Sequence, residues 1–298
     1  MKRLFLLMLA ITPLAIILPA LKTADTKKMD IQGSWELVSY IDHQRQNPNW
    51  QKNAQEILYQ KHINNTHFTW IKYNRTTKEL LGMGGGTYII NEAGQYVENI
   101  NFFYPTGSSE LGQSIPFTVK LEKGAWHHSG YAKIMELTEQ GNIEVKDSVK
   151  IEEIWSPVTP ARNNKKDLIG TWSLSAYRFK ENVPYEEYPD FTAYIKVLTA
   201  THFAWVKYDK GGDQIFAAGA GTYAFDGNTY IENVEMTYPG DNLANGAKIT
   251  FSIDLTPYKW KHYGHVPRKD NLPDDDSNLI DEVWVPYMAN PEDATAFY

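Results

Sequence analysis

Cysteine is absent from the 298 residues. That excludes disulfides, thiolate nucleophiles, CxxC zinc sites and the cysteine that would carry a bacterial lipid anchor. Long basic runs are also missing, and 36 acidic against 29 basic residues leave a net charge of −7, so a nucleic-acid groove has no electrostatic footprint. No HExxH, His-x-His or Gly-x-Ser-x-Gly occurs, which removes the common zinc spacings and the serine elbow. His127 and His128 are adjacent on an expected strand, where their side chains face opposite ways and cannot share an ion. The acidic stretch 273–278 lacks EF-hand spacing. No metal and no cofactor is therefore expected.

The chain opens with Lys2 and Arg3 ahead of an apolar run at 4–21, the charged start and greasy middle of an export signal. Pro13 and Pro19 make the same run a poor spanning helix. Residues 1–24 are read as a signal peptide, which places the protein outside the cytoplasm, secreted or periplasmic in a bacterium, with no stable membrane insertion after removal.

The rest of the chain repeats itself. THFTWIKY at 66–73 returns as THFAWVKY at 201–208, offset by 135 with six of eight residues identical. Gly33-Ser34-Trp35 matches Gly170-Thr171-Trp172, Gly86-Thr87-Tyr88 matches Gly221-Thr222-Tyr223, and Tyr96-Val97-Glu98-Asn99 matches Tyr230-Ile231-Glu232-Asn233. Tyr104-Pro105, Trp126-x-His128-x-Gly130 and Glu153-Ile154-Trp155 return, in order, as Tyr238-Pro239, Trp260-x-His262-x-Gly264 and Glu282-Val283-Trp284. An unchanged order with a slowly drifting offset is what loop insertions between fixed elements produce. The reading is two copies of one unit, at 27–160 and 167–288, joined by a polar linker at 161–166 and trailed by a tail at 289–298. Each half is expected to hold its own core and fold alone.

Within each copy the apolar period is two. The second copy divides into eight aromatic and β-branched runs separated by Gly, Asn, Asp or Pro, with Asp226-Gly227 at one hairpin. Eight short strands in sequence order suit an up-and-down antiparallel barrel, because closure removes both exposed edges. The fold class is thus all-β, with two tandem eight-stranded barrels; a sandwich is the alternative. Residues 50–59 are expected to add one helix to the first copy, and 184–189, with two prolines, to stay a loop. The glycine run 82–86 precedes a strand, so close backbone packing or a bulge is expected rather than a phosphate loop.

A Gly-x-Trp opening the first of eight antiparallel strands resembles the lipocalin-like, or calycin, barrels. With THF[TA]W[IV]KY, Y[VI]EN, WxHxG and a terminal E[IV]W, the chain resembles secreted bacterial lipocalin-like proteins, here in two copies. The resemblance implies that Trp35 and Trp172 are structural, packed across the closed end of the barrel. The arginine that typically covers this tryptophan is missing from 150–157 and 279–286.

Strand alternation divides each motif into two faces. The face with Phe68, Trp70 and Lys72, matched by Phe203, Trp205 and Lys207, is taken as the lumen, with the lysines near the mouth. Tyr96 and Glu98, matched by Tyr230 and Glu232, put a carboxylate on an apolar stripe. A buried carboxylate needs a partner, for which His128 and His262 or Lys72 and Lys207 are the candidates; Glu153 and Glu282 add a second acidic position. This set is a satisfied internal network, the polar end of an otherwise apolar ligand pocket or, ranked last, a catalytic or metal-binding group with Glu98 or Glu153 as general base beside His128. The expected function is binding of a small hydrophobic or amphipathic molecule in a barrel cavity. A cavity enzyme of isomerase, lyase or hydrolase type, and a partner-binding or structural module, are the alternatives.

Overall fold

The computed structural model describes residues 31–138, 141–158, 163, 167–240, 244–268 and 273–287. The stretch expected to be a signal peptide, most of the expected linker and the expected tail lie outside the described residues. The first copy runs through β1 (Gly33–Ile41), β2 (Trp50–Lys52), β3 (Ile57–Ile63), β4 (His67–Asn74), β5 (Leu80–Ile90), β6 (Tyr96–Tyr104), β7 (Ser114–Glu122), β8 (Ala125–Leu137) and β9 (Ile143–Pro157). The second has the same plan: β10 (Gly170–Arg178), β11 (Glu186–Glu187), β12 (Thr192–Leu198), β13 (His202–Asp209), β14 (Ile215–Phe225), β15 (Thr229–Tyr238), β16 (Lys248–Thr256), β17 (Lys259–His265) and β18 (Leu279–Pro286).

In each copy eight strands pair antiparallel in chain order, and the last closes on the first, β9 on β1 and β18 on β10. The remaining strand, β2 or β11, adds to the edge of the first. The helix expected at 50–59 does not form. Trp50, Gln51 and Lys52 pair with Ile41, Tyr40 and Ser39 instead, and the Asn53 amide donates to the Val38 carbonyl. Pairing with an existing strand satisfies those backbone groups more fully than one short isolated helix would. The same position of the second copy is a two-residue strand rather than a loop.

The glycine run is explained by contact. Beneath Trp70, a Cβ on Gly84 would lie 2.8 Å from the indole; beneath Trp205, one on Gly219 would lie 2.5 Å away. A bulge comes next in each copy, at Gly85/Gly86 and at Ala220/Gly221. It adds one residue to the facing strand, so the alternation of β6 and β15 changes sides there.

Strand parity agrees with the expected reading, with one addition. Phe203 and Trp205 join the core inside the second barrel, while Ala204, Val206 and Tyr208 point the other way and are also buried. They meet Leu58, Ile71, Tyr73, Leu80, Met83 and Phe102 of the first barrel in one shared apolar cluster. Phe102 and Tyr208 pack with their rings tilted at 4.9 Å, and Tyr104 packs on Tyr238 at 5.2 Å. The contact is reciprocal: β5 meets β15 and β6 meets β14, the equivalent pairs, as in a two-fold dimer. So the linker is only part of what joins the halves, and a half on its own would expose this face.

A polar seam borders the cluster. Ser34 Oγ and Thr199 Oγ1 are 2.8 Å apart, Asn64 Nδ2 donates to Thr171 Oγ1 at 2.8 Å, and Tyr73 donates to Glu235 at 2.9 Å. His62 stacks on His202 at 5.2 Å. Burial holds His67 and His202 down to about 4, and burial plus the charge of His202 lowers His62 strongly.

This interface generates two expected outcomes. Phe102→Ala is expected to cost about 3 to 5 kcal/mol in a urea melt of the full chain, and the 163–298 half is expected to melt at a lower midpoint than the full chain. Equal midpoints would mean that the shared cluster adds no stability. The neutral histidines add a pH dependence. Unfolded histidine takes up protons from 6.5 downward, whereas the folded residues resist until about 4. Their contribution is therefore complete above 6.5 and is lost as pH falls through that window, about 3 kcal/mol for each of His67 and His202. Stability measured against pH is expected to fall less steeply there in a His67→Gln/His202→Gln variant.

Candidate functional site

The lumen of each barrel contains a buried lysine that faces a glutamate across the barrel. Lys61 on β3 holds Glu98 on β6 at 2.6 Å, and Lys196 on β12 holds Glu232 on β15 at 2.7 Å. Each ammonium lies within a cage of four rings. Around Lys61 are Phe68, Phe117, Trp126 and Trp155 at 5.3 to 5.9 Å from the ring centroids. Around Lys196 are Phe203, Tyr230, Trp260 and Trp284 at 4.9 to 5.9 Å. An ammonium without water needs such partners, because the carboxylate supplies one strong contact and ring faces take the rest of the charge.

A second acid completes each cluster. His128 Nδ1 donates to Glu153 at 3.1 Å, while in the second barrel His262 uses Nε2 to reach Glu282 at 2.7 Å. Trp155 and Trp284 donate to the same oxygens at 3.1 Å. Burial, with the neighbouring lysine charge, keeps both histidines below their ordinary value despite the carboxylates. Burial also pushes Glu153 and Glu282 up, but the histidine hydrogen bond and the lysine charge outweigh it, so both carboxyls titrate low. The neutral-pH state is one ammonium, two carboxylates and a neutral imidazole.

Of the residues expected at the site, Phe68, Tyr96, Glu98, His128 and Glu153 converge in the first barrel, and Phe203, Tyr230, Glu232, His262 and Glu282 in the second. Tyr230 also donates to Glu232 at 2.9 Å. Trp70 and Trp205 stand higher on the same face, packed on Tyr59 and Tyr194. Lys72 and Lys207 are not the partners of the glutamates. They cover Tyr59 and Tyr188 at 5.7 and 5.8 Å, because they lie four positions beyond Phe68 and Phe203 along the strand, toward the mouth. The real partners, Lys61 and Lys196, had a legible signal: Tyr59-x-Lys61 and Tyr194-x-Lys196 repeat at the same offset of 135 as the THF motif. Trp35 and Trp172 are buried, donate to the Ile31 and Leu168 carbonyls and meet Trp126 and Trp260 edge-on at 5.6 and 5.7 Å. No group of three or more metal-ligating side chains suited to an ion occurs among the described residues.

The barrels differ at one equivalent position. Counting from the shared Tyr-Pro, Glu110 of the first copy corresponds to Ala244 of the second. Glu110 reaches over the first cluster, and burial together with the charges of Glu98 and Glu153 pushes its carboxyl up to about 7. Ala244 is buried at the same place and lines a cavity of about 320 Å³ in the second barrel. Tyr194, Trp205, Ile249 and Phe251 form apolar walls, and Lys196, Glu232, His262 and Glu282 form the polar end.

Fold and site together define a class: a tandem of two closed, eight-stranded antiparallel barrels, each built around an internal ion cluster. No known family profile matches the chain, and no curated protein matches it. Among solved structures it is similar to a protein of unknown function from the DUF3598 family of Nostoc punctiforme, at 10% identity and a TM-score of 0.22, over 86% of this chain and 94% of that one. Two mutants of transferrin-binding protein B from Haemophilus parasuis match at 10% and 11% identity with TM-scores of 0.21; this chain covers 65% and 64% of their lengths.

The ion pair makes a distinctive prediction. Lys61→Met alone strands a buried carboxylate and is expected to cost about 3 to 5 kcal/mol, whereas Lys61→Met with Glu98→Leu removes both charges and is expected to recover most of that loss. Denaturant melts of the two single variants and the double variant close the cycle.

Proposed function

We propose that the protein is exported and binds a small, partly hydrophobic molecule, and that the cavity of the second barrel is its ligand site. The observation that carries this reading is the replacement of Glu110 by Ala244 at equivalent positions, with a cavity of about 320 Å³ beside the alanine. Apolar walls with a few convergent polar groups are the usual make-up of small-molecule sites. The first barrel, with a carboxyl over its cluster, is the structural copy in this reading. Export is supported by the charged start and apolar run at 1–24, and no helix among the described residues is long and apolar enough to cross a membrane.

The test is native mass spectrometry of the protein purified from its own host. A bound small molecule is expected on the wild type and not on Ala244→Phe, with unchanged melting of the variant to show that the barrel remains intact. A wild-type protein with no bound mass, or a bound mass that Ala244→Phe retains, would overturn the assignment of this cavity.

A further inference from the structure

The charge inside the second barrel does not balance. Lys196 contributes one positive charge, Glu232 and Glu282 two negative ones, and His262 is neutral because burial holds its pKa down. Every other residue lining the cavity is uncharged. One negative charge is therefore left over at the edge of the cavity, next to the rings of Tyr194, Trp205 and Phe251.

Lys196 cannot answer a ligand. Its side chain is 4% exposed, and the ammonium pairs with Glu232 and is shared among four rings. The free capacity is on the acidic side. Glu282 Oε2 accepts from both His262 and Trp284, while Oε1 accepts from no described residue, and the side chain is 17% exposed. A carboxylate with one saturated and one open oxygen thus borders the cavity. Tyr194, Trp205 and Phe251 present rings to the same space, and ring faces also attract cations.

The first barrel contains a natural probe of this field. It has the same four groups in the same charge states, and Glu110 brings a carboxyl to the position that Ala244 leaves open. That acid resists ionisation, because burial and the charges of Glu98 and Glu153 act against it. An acidic group is disfavoured over such a cluster, and a cation would bring the cluster to neutrality.

Taking the cavity as the ligand site proposed for the second barrel, we propose that it selects molecules with an amine or other positively charged nitrogen on an apolar or aromatic body, and that it rejects carboxylates. The nitrogen is placed against Glu282 Oε1, and the body lies along the Tyr194, Trp205 and Phe251 wall.

Isothermal titration of the full chain near pH 7.5 with tryptamine, indole-3-acetamide and indole-3-acetate tests charge at nearly constant shape. Tryptamine is expected to bind at least tenfold more tightly than the acetate, with the amide between them. Glu282→Gln is expected to abolish the preference while amide binding persists. Glu110→Ala, which gives the first barrel the residue that the second has at this position, is expected to raise the tryptamine stoichiometry from one to two, a gain that damage to the fold cannot imitate. Acetate binding as tightly as tryptamine would overturn the charge selection and leave the cavity assignment standing. If none of the three binds, the inference falls, and the Ala244→Phe comparison decides separately whether the cavity is a ligand site.

Discussion

A lysine ammonium buried in an aromatic cage is the constraint around which each barrel is organised. Removing such an ion from water costs several kcal/mol before any partner is counted. Glu98 and Glu232 compensate directly, and the rings of four side chains from several strands supply the remainder. Those rings are also the bulk of the barrel core: Trp126, Trp155, Trp260 and Trp284 are fully buried. Polar and apolar packing are therefore one structure here, since the side chains that fill the lumen are those that hold the charge. The second acid and its histidine then set the surplus, because Glu153 and Glu282 stay ionised while His128 and His262 stay neutral.

The second constraint acts between the barrels. An antiparallel barrel can leave its outer face in water, but here the outer faces of β3 to β6 and β12 to β15 carry Ile71, Tyr73, Met83, Val206, Tyr208 and Met236. These strands are buried on both sides, and the copies share a core in the manner of subunits. Gly212 shows how closely the chains approach. Its carbonyl accepts from the Phe103 amide at 3.1 Å, and a Cβ there would fall 2.0 Å from the Asn101 carbonyl oxygen.

Duplication left the two ion clusters nearly superimposable in composition and let the loops above them diverge. The cluster is costly to alter in part, since each member satisfies another, whereas a loop position such as 110 or 244 is free to change. A carboxyl stands over one cluster and a methyl over the other, where a cavity of about 320 Å³ opens in the second barrel. Two copies with the same internal chemistry thus differ in the side chain that stands over it.

Much of this was legible in the chain. The period of two, the turn residues and the repeated motifs specify strands and their order locally, so the eight-strand plan could be read directly, whereas alternation left two possible faces and the lumen face of Phe68, Trp70, Phe203 and Trp205 was chosen on the size of its aromatics. Repetition marked Glu98, His128, Glu153 and their counterparts as a set, and the same logic extended to Tyr59-x-Lys61 would have found the lysine. The helix expected at 50–59 failed because propensity in a short segment yields to an available strand edge. Burial of the face with Ile71 and Val206 was hidden, since alternation shows that a strand has two faces but not what covers the second. Which lysine reaches which glutamate, and what Glu110 or Ala244 stands over, depend on distances across a closed barrel between residues some 35 to 50 positions apart. The sequence by itself determined the strands, their order and the duplication, which arise from contacts between neighbours in the chain; only the tertiary structure decided the ion pairing, the joined core and the cavity, which arise from closure and packing between residues far apart in it.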